Sequence, residues 1–279
     1  MFNDIEAVFI DLDKTLTTRK KKYDVSLDNR LQIKNLQKRK VWTIITTGRT
    51  KQDIIRVWNQ IHLNNYCDYV IYSNGAMIEN FRKNEIIHQK KINFNQILEF
   101  LEYIKENHPK WIFRFADGTD FFTFNNIGLK YKFLNLLIKD FNIKKFSLEE
   151  FNKFKKFDTS KIGIIGSFSG KKTKKILNII QEKFPNFKIV NSGLKIYLEI
   201  TNQNVTKGMA AIVLADYLNL NLDNTIAIGD SNNDKALFEI VGYPVAMKKS
   251  DKDLLKIAKF RTKSAKKNGV AKVIKNINI

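Results

Sequence analysis

Asp11 and Asp13, one residue apart and followed by Thr15, end the stretch AVFIDLDKTLT that opens at Ala7. Two like charges so close repel each other and need a compensating partner. The stretch is either a strand running out into a solvated turn or a carboxylate pair gathered around a metal ion. Other polar groups decide between these. Thr46 and Thr47 end VWTIITT, Ser73 and Asn74 end YVIYSNG, and Asp230 ends TIAIGD, with Asn233 and Asp234 just beyond. Asp11, Asp13 and Asp230 offer hard oxygen ligands with no cysteine or histidine cluster beside them. That donor set suits Mg²⁺, which takes a few carboxylates and keeps waters and phosphate oxygens as its remaining ligands. Lys207 opens a helix, so its charge and the helix N-terminus both favour an anion.

These residues meet only if the elements carrying them form one sheet. Apolar strands alternate with helices over the first third of the chain. Ser26 is a plausible N-cap and Asp28 suits the first turn of a helix whose apolar stripe is Leu27, Leu31, Ile33 and Leu36. Such alternation argues for a parallel sheet covered on both faces. The carboxyl ends of its strands share one edge, which is where ligands bind in open α/β sheets. Residues as distant in sequence as Asp11 and Asp230 would converge there.

After Gly75 the pattern changes. AMIENFRKNEIIHQK reads as a hairpin, followed by a helix from Phe94 to about Asn107. Aromatic-rich strands fill WIFRFADGTDFFTF, a helix is expected near 129–141, and KIGIIGSF, KKILNIIQEKF and FKIVNSGLKIYLEI read as strand, helix and strand pair. Gly163 and Gly166 lie within a strand-like run and read as structural rather than as a phosphate loop. The α/β pattern resumes at Val205. The reading is an α/β protein: a Rossmann-like parallel-sheet core at 1–81 and 196–279, interrupted by an α+β insert at 82–195.

The 279 residues carry 49 Lys and Arg against 28 Asp and Glu, a net charge of +21. The excess is mostly lysine, spread evenly among many Asn, Ile and Phe with only 3 Pro, which points to codon bias more than to nucleic acid. The runs RKKK (19–22) and KKTKK (171–175) read as solvated faces, and no nucleic-acid motif is recognisable. No apolar run approaches the about 18 residues of a membrane span. The N-terminus has no basic n-region, and the single cysteine, Cys67, excludes internal disulfides. A cytoplasmic protein without membrane contact is expected. His62, His88 and His108 lie on separate elements and form no ligand set. Trp111, Phe113, Phe115 and Phe121–Phe124 read as core, while Arg114 and Asp117 alternate with them and are candidates to face a substrate.

The sequence resembles the haloacid dehalogenase-like (HAD) phosphatases, in particular the Cof-type branch, subclass IIB, with a large α/β cap. DLDKTLT matches the first motif, IITTGR the second, SNGA the following strand end, VTKGMA the lysine motif and IGDSNND the fourth; the tail KKNGVAKVIKNI also fits. The resemblance implies a phosphatase acting on small phosphorylated metabolites, such as sugar phosphates, with the insert as the cap that sets specificity. It makes Asp11 the nucleophile that forms an aspartyl-phosphate and Asp13 the general acid and base. Thr47, Gly48, Lys207 and Asn233 would hold phosphate. Mg²⁺ would be bound by Asp11, the backbone carbonyl of Asp13 and Asp230, with Asp234 in support. Alternatives are a phosphomutase on the same fold, or a basic nucleic-acid-binding protein with a vestigial site. Two departures stand out. Lys14 replaces the glycine usual after the second aspartate, and MKKS (247–250) replaces the usual MGNA, which puts loop contacts near the metal in doubt.

Overall fold

The strand Ala7–Ile10 is buried at every position, the signature of a strand covered on both faces. In the computed structural model, which describes residues 2–18, 23–116, 120–125, 143–153, 157–166, 169–191 and 197–278, this strand is the middle of a sheet. The described chain divides into two units, Met1–Gln89 with Val205–Ile279, and Lys90–Asn204. The first unit begins β1 (Ala7–Ile10), α1 (Leu27–Lys38), β2 (Trp42–Thr46), α2 (Lys51–Ile61), β3 (Tyr69–Tyr72), β4 (Met77–Asn80) and β5 (Glu85–Gln89). The second unit supplies α3 (Phe94–Asn107), β6 (Ile112–Phe115), β7 (Phe121–Thr123), β8 (Ile143–Lys145), α4 (Leu148–Phe151), β9 (Ile162–Ile165), α5 (Gly170–Lys183), β10 (Phe187–Asn191) and β11 (Leu198–Asn202). The chain then returns with α6 (Lys207–Leu218), β12 (Thr225–Gly229), α7 (Lys235–Phe238), β13 (Tyr243–Ala246), α8 (Lys252–Ile257), β14 (Phe260–Arg261) and α9 (Gly269–Ile274).

The first sheet runs β14-β13-β12-β1-β2-β3-β4-β5. All pairings from β14 to β3 are parallel, and β4 and β5 add an antiparallel hairpin at one edge. The expected boundaries differ at both ends: Glu85–Gln89, expected with the insert, pair with β4 in the first sheet, and Leu198–Asn202, expected with the core, pair with β10 and β9 in the second. The β1 register is Ile10 opposite Ile228 on one side and Ile45 on the other, so β1, β12 and β2 end level with one another. That common end is the edge the sequence requires.

Ser26 caps α1, accepting from the Asn29 amide. The apolar stripe expected there is only half right. Ile33 and Leu36 are buried, but Leu27 and Leu31 are exposed, and the inward face carries Asn29 and Gln37 instead. Asn29 Oδ1 accepts from the Ala271 amide at 2.9 Å. Gln37 donates to the Ile61 carbonyl and accepts from the Leu63 amide, each at 2.9 Å. Both amides satisfy backbone groups of neighbouring elements, which offsets part of the cost of burying them.

The second unit is a six-stranded sheet in the order β10-β11-β9-β6-β7-β8, antiparallel except for β7 and β8. Phe113, Ile162, Ile164, Leu198 and Ile200 pack with Phe100 and Ile104 of α3 and Ile180 of α5. Trp111, Phe113 and Phe115 are thus core residues, as their pattern implied. Gly163 leaves room for the Tyr197 ring; a Cβ there would stand 1.8 Å from its hydroxyl oxygen. Lys171, Lys172, Lys174 and Lys175 are exposed. The RKKK run, the helix expected near 129–141 and Asp117 lie outside the described residues. No helix among the described residues is long and apolar enough to cross a membrane.

Candidate active site

Asp11 is the first residue past β1, and its amide donates to the Ile228 carbonyl at 3.0 Å, continuing the pairing with β12. The loop beyond it turns back at once. The Leu16 amide donates to the Asp11 carbonyl at 3.2 Å and the Thr17 amide to Leu12 at 2.8 Å, with the Thr17 hydroxyl on the same carbonyl at 3.0 Å. This knot fixes where the Asp11 and Asp13 side chains leave the chain.

Lys207 begins α6, which Thr206 caps by accepting from the Met209 amide. Its side chain is wholly buried, and its Nζ donates to Asp11 Oδ1 at 2.7 Å and to Asp234 Oδ1 at 2.5 Å. Asp234 Oδ2 accepts from the amides of Asp230 and Ser231 at 3.0 and 3.1 Å. Asp234 is therefore fully engaged in holding Lys207 and the loop after β12.

Asp11, Asp230 and Asp234 each bring an oxygen within 4.8 Å of the others. Burial pushes the Asp11 carboxyl well above the usual range; Lys207 pulls it down, while Asp234 and Asp230 push it up again. Burial likewise lifts Asp230 to about 6, against a lowering by Lys14. Burial would lower Lys207, yet Asp11 and Asp234 outweigh it and hold the ammonium charged. Asp11 and Asp234 share the buried Lys207, and Asp230 meets only the partly exposed Lys14, so three buried carboxylates face two cations and the centre carries excess negative charge. With Asp234 committed, Asp11 and Asp230 remain as hard oxygen donors, a set that fits a divalent cation such as Mg²⁺.

Asp13 stands apart from this cluster. Its carboxylate, 55 % exposed, is gripped by Arg49, with Nε on Oδ2 at 2.8 Å and Nη2 on Oδ1 at 2.6 Å. Arg49 in turn lies over the Tyr23 ring, 5.5 Å from its centroid, and the Tyr23 hydroxyl donates to Asp53 at 2.9 Å. Sequence reasoning quoted this arginine in IITTGR without giving it a role. Its signal was an invariably charged, forked donor one strand end away from a carboxylate that such a fork fits.

Thr47 follows β2, buried, with its amide on the Ile71 carbonyl at 2.9 Å and its hydroxyl accepting from the Arg49 amide at 3.2 Å. Next to it Gly48 faces Asn74, whose Oδ1 would lie 2.6 Å from a Cβ at position 48. Asn74 Oδ1 accepts from Asn233 Nδ2 at 3.1 Å, and the Asn74 amide donates to the Thr47 carbonyl at 3.1 Å. Thr47, Gly48 and Asn233 are thus joined through Asn74, another residue that the sequence placed at a strand end but left without a role. Asn74 holds the left-handed backbone conformation, φ 60°, that asparagine tolerates better than most residues.

The MKKS departure does not loosen the loop. The Met247 amide donates to the Gly229 carbonyl at 3.0 Å and the Asp251 amide to the Asp230 carbonyl at 2.9 Å. Ser250 Oγ adds contacts to Met247 and Gly229, and Asp251 Oδ2 accepts from the Asn232 amide at 3.0 Å. Backbone groups, Ser250 and Asp251 supply the anchoring.

Comparison with known proteins adds three findings. Residues 8–274 match the family model of haloacid dehalogenase-like hydrolases. The chain is 26 % identical to the Bacillus subtilis (strain 168) phosphatase YwpJ over 300 residues, covering 98 % of this chain and 100 % of that one. Among solved structures, a haloacid dehalogenase-like hydrolase from Bacteroides thetaiotaomicron superposes with a TM-score of 0.79 at 23 % identity, covering 97 % of this chain and 98 % of the other. A subclass IIB sugar phosphatase, BT4131, does so with a TM-score of 0.76 at 18 % identity, covering 97 % and 98 %.

Proposed function

We propose, from the premise that this chain belongs to the haloacid dehalogenase-like hydrolase family, that it is a Mg²⁺-dependent phosphatase of small phosphorylated metabolites, sugar phosphates foremost, working through an aspartyl-phosphate. Family and phosphatase relative make it a phosphoric monoester hydrolase; the metal, the substrate class and the covalent intermediate are the proposal. The sugar phosphatase of like fold supports the substrate class. The observation that carries the mechanism is the Asp11 carboxylate at the end of β1, 2.7 Å from the buried Lys207 ammonium.

In this reading the Asp11 carboxylate attacks phosphorus, and the bond to the leaving oxygen breaks as the acyl phosphate forms. Asp13, oriented by Arg49, gives the leaving alkoxide its proton and then takes one from the water that hydrolyses the acyl phosphate. Lys207, Thr47, Gly48 and Asn233 bind the phosphoryl oxygens, and Asp234 holds Lys207 in place. Asp11, Asp230 and the Asp13 backbone carbonyl would hold Mg²⁺, which when bound supplies charge neutralisation for the carboxylates and the phosphoryl group. Lys207 sits where negative charge grows and needs no reorganisation, which is how a fixed cation lowers such a barrier.

The test is phosphate release from a broad panel of phosphorylated metabolites, in Mg²⁺ and in EDTA, with wild type and Asp11→Asn. Mg²⁺-dependent turnover that the substitution abolishes, highest on sugar phosphates, is the expected result. Turnover that persists in Asp11→Asn would discard the covalent step, and isomerisation of a hexose phosphate without hydrolysis would replace phosphatase by mutase.

A further inference from the structure

Lys14 occupies the left-handed region, φ 61°, in the loop between Asp11 and Thr17. A lysine there costs about 1 kcal/mol relative to an ordinary backbone conformation. The loop's own hydrogen bonds hold it, since the amides of Thr15, Leu16 and Thr17 all return to Asp11 or Leu12. In this conformation the Lys14 ammonium stands 3.4 Å from Asp230 Oδ2. The two partners are unequally placed: the Lys14 side chain is 37 % exposed and the Asp230 side chain 4 %. Lys207 differs in kind, being wholly buried between Asp11 and Asp234. The centre therefore has one permanent cation and one on a solvent-reaching arm, and the second faces the carboxylate that the first does not touch.

We propose that Lys14 is a tethered counter-cation of the metal-free centre, neutralising Asp230 until a divalent ion displaces its ammonium, and that it thereby weakens and sets the protein's metal affinity. This rests on the metal reading under Proposed function. A divalent ion bound to Asp230 and an ammonium on the same carboxylate repel each other at short range, so they exclude one another. The arm is long enough, and exposed enough, to swing into solvent when the ion enters. What it leaves behind is a centre that tolerates loss of its metal without an unpaired buried carboxylate, an otherwise costly state.

Calorimetric titration of Mg²⁺ into the substrate-free, EDTA-stripped full chain tests this, with wild type, Lys14→Met, Lys14→Gln, Lys14→Arg and Asp230→Asn. Melting temperatures in EDTA and in Mg²⁺ are taken beside it. Lys14→Met and Lys14→Gln are expected to tighten Mg²⁺ binding about tenfold, the size of a close charge repulsion in a partly solvated site. Lys14→Arg keeps the charge and is expected to stay near wild type, while Asp230→Asn loses binding. The two neutral variants should also melt lower than wild type in EDTA and regain the difference in Mg²⁺. Equal affinities in wild type, Lys14→Met and Lys14→Gln would overturn the inference while leaving the metal site intact. Absence of Mg²⁺ uptake by wild type would instead remove the metal reading, and this inference with it.

Discussion

Arg49 holds Asp13 by both arms of its guanidinium, at 2.8 and 2.6 Å, and thereby fixes a half-exposed carboxylate. The pairing is planar and two-pronged, which a lysine cannot reproduce. Arg49→Ala is expected to lower kcat about 100-fold, the lower end of what a positioned acid–base group contributes, with KM changing far less. Arg49→Lys should fall between. A kcat within twofold of wild type in both variants would show that Asp13 needs no such clamp; steady-state kinetics on the best substrate decides it.

Lys207 is the cation paired with Asp11 among the described residues, and it is shared with Asp234. Lys207→Met keeps much of the side-chain volume but leaves two buried carboxylates uncompensated. Removing one partner of a buried pair costs about 3–5 kcal/mol, so the urea midpoint of the metal-free protein should drop sharply. Lowering the pH should rescue part of the loss, because protonated carboxyls need no partner. A midpoint unchanged by the substitution would mean that the buried cluster does not depend on this ammonium for its stability.

Metal-free stability should fall as pH rises through the acid range. Asp230 titrates near 6 when folded, against 3.8 in the ordinary state, because it is buried; Asp11 shifts the same way for the same leading cause. Between those values the folded chain binds more protons than the unfolded one, so stability is lost as pH climbs from about 4 to about 6. For Asp230 alone the loss is about 2 kcal/mol. Unfolding free energies in EDTA across that window, compared with Asp230→Asn, isolate the contribution: the substitution should flatten part of the slope. Saturating Mg²⁺ should reverse it. Parallel pH profiles for the two proteins would contradict the assignment.

Gly75 sits at φ 102° with the Thr206 carbonyl oxygen 2.2 Å from where a Cβ would be. The turn after β3 is thus pressed against the residue that caps α6, one position before Lys207. Gly75→Ala combines a disfavoured backbone with a clash on rigid main chain, and about 2–4 kcal/mol of stability should be lost. Because the clash displaces Thr206, phosphate affinity should weaken along with it. Chemical denaturation and inhibition by inorganic phosphate measure the two effects separately; loss of neither would mean that the turn can withdraw.

The place of the candidate site was legible in the sequence because the types and order of a few side chains constrain it strongly. Asp11, Lys207, Asp230 and Asp234 each fall at a strand end or a helix start, and an all-apolar β1 could only be the middle of a covered sheet. Periodicity is a local property, and local properties suffice to form strands and helices and to bring their ends to one edge. Tertiary structure alone decided how polar groups are paired. It turned Asn29 and Gln37 of α1 inward and left Leu27 and Leu31 outside, since the buried amides satisfy backbone groups of α9 and of the segment after α2. It also gave Asp13 to Arg49, joined Asn233 to Gly48 through Asn74, and aimed Lys14 at Asp230. A buried donor or a loose charge takes whichever partner the fold brings within about 3 Å, and that distance is set by segments far apart in the chain.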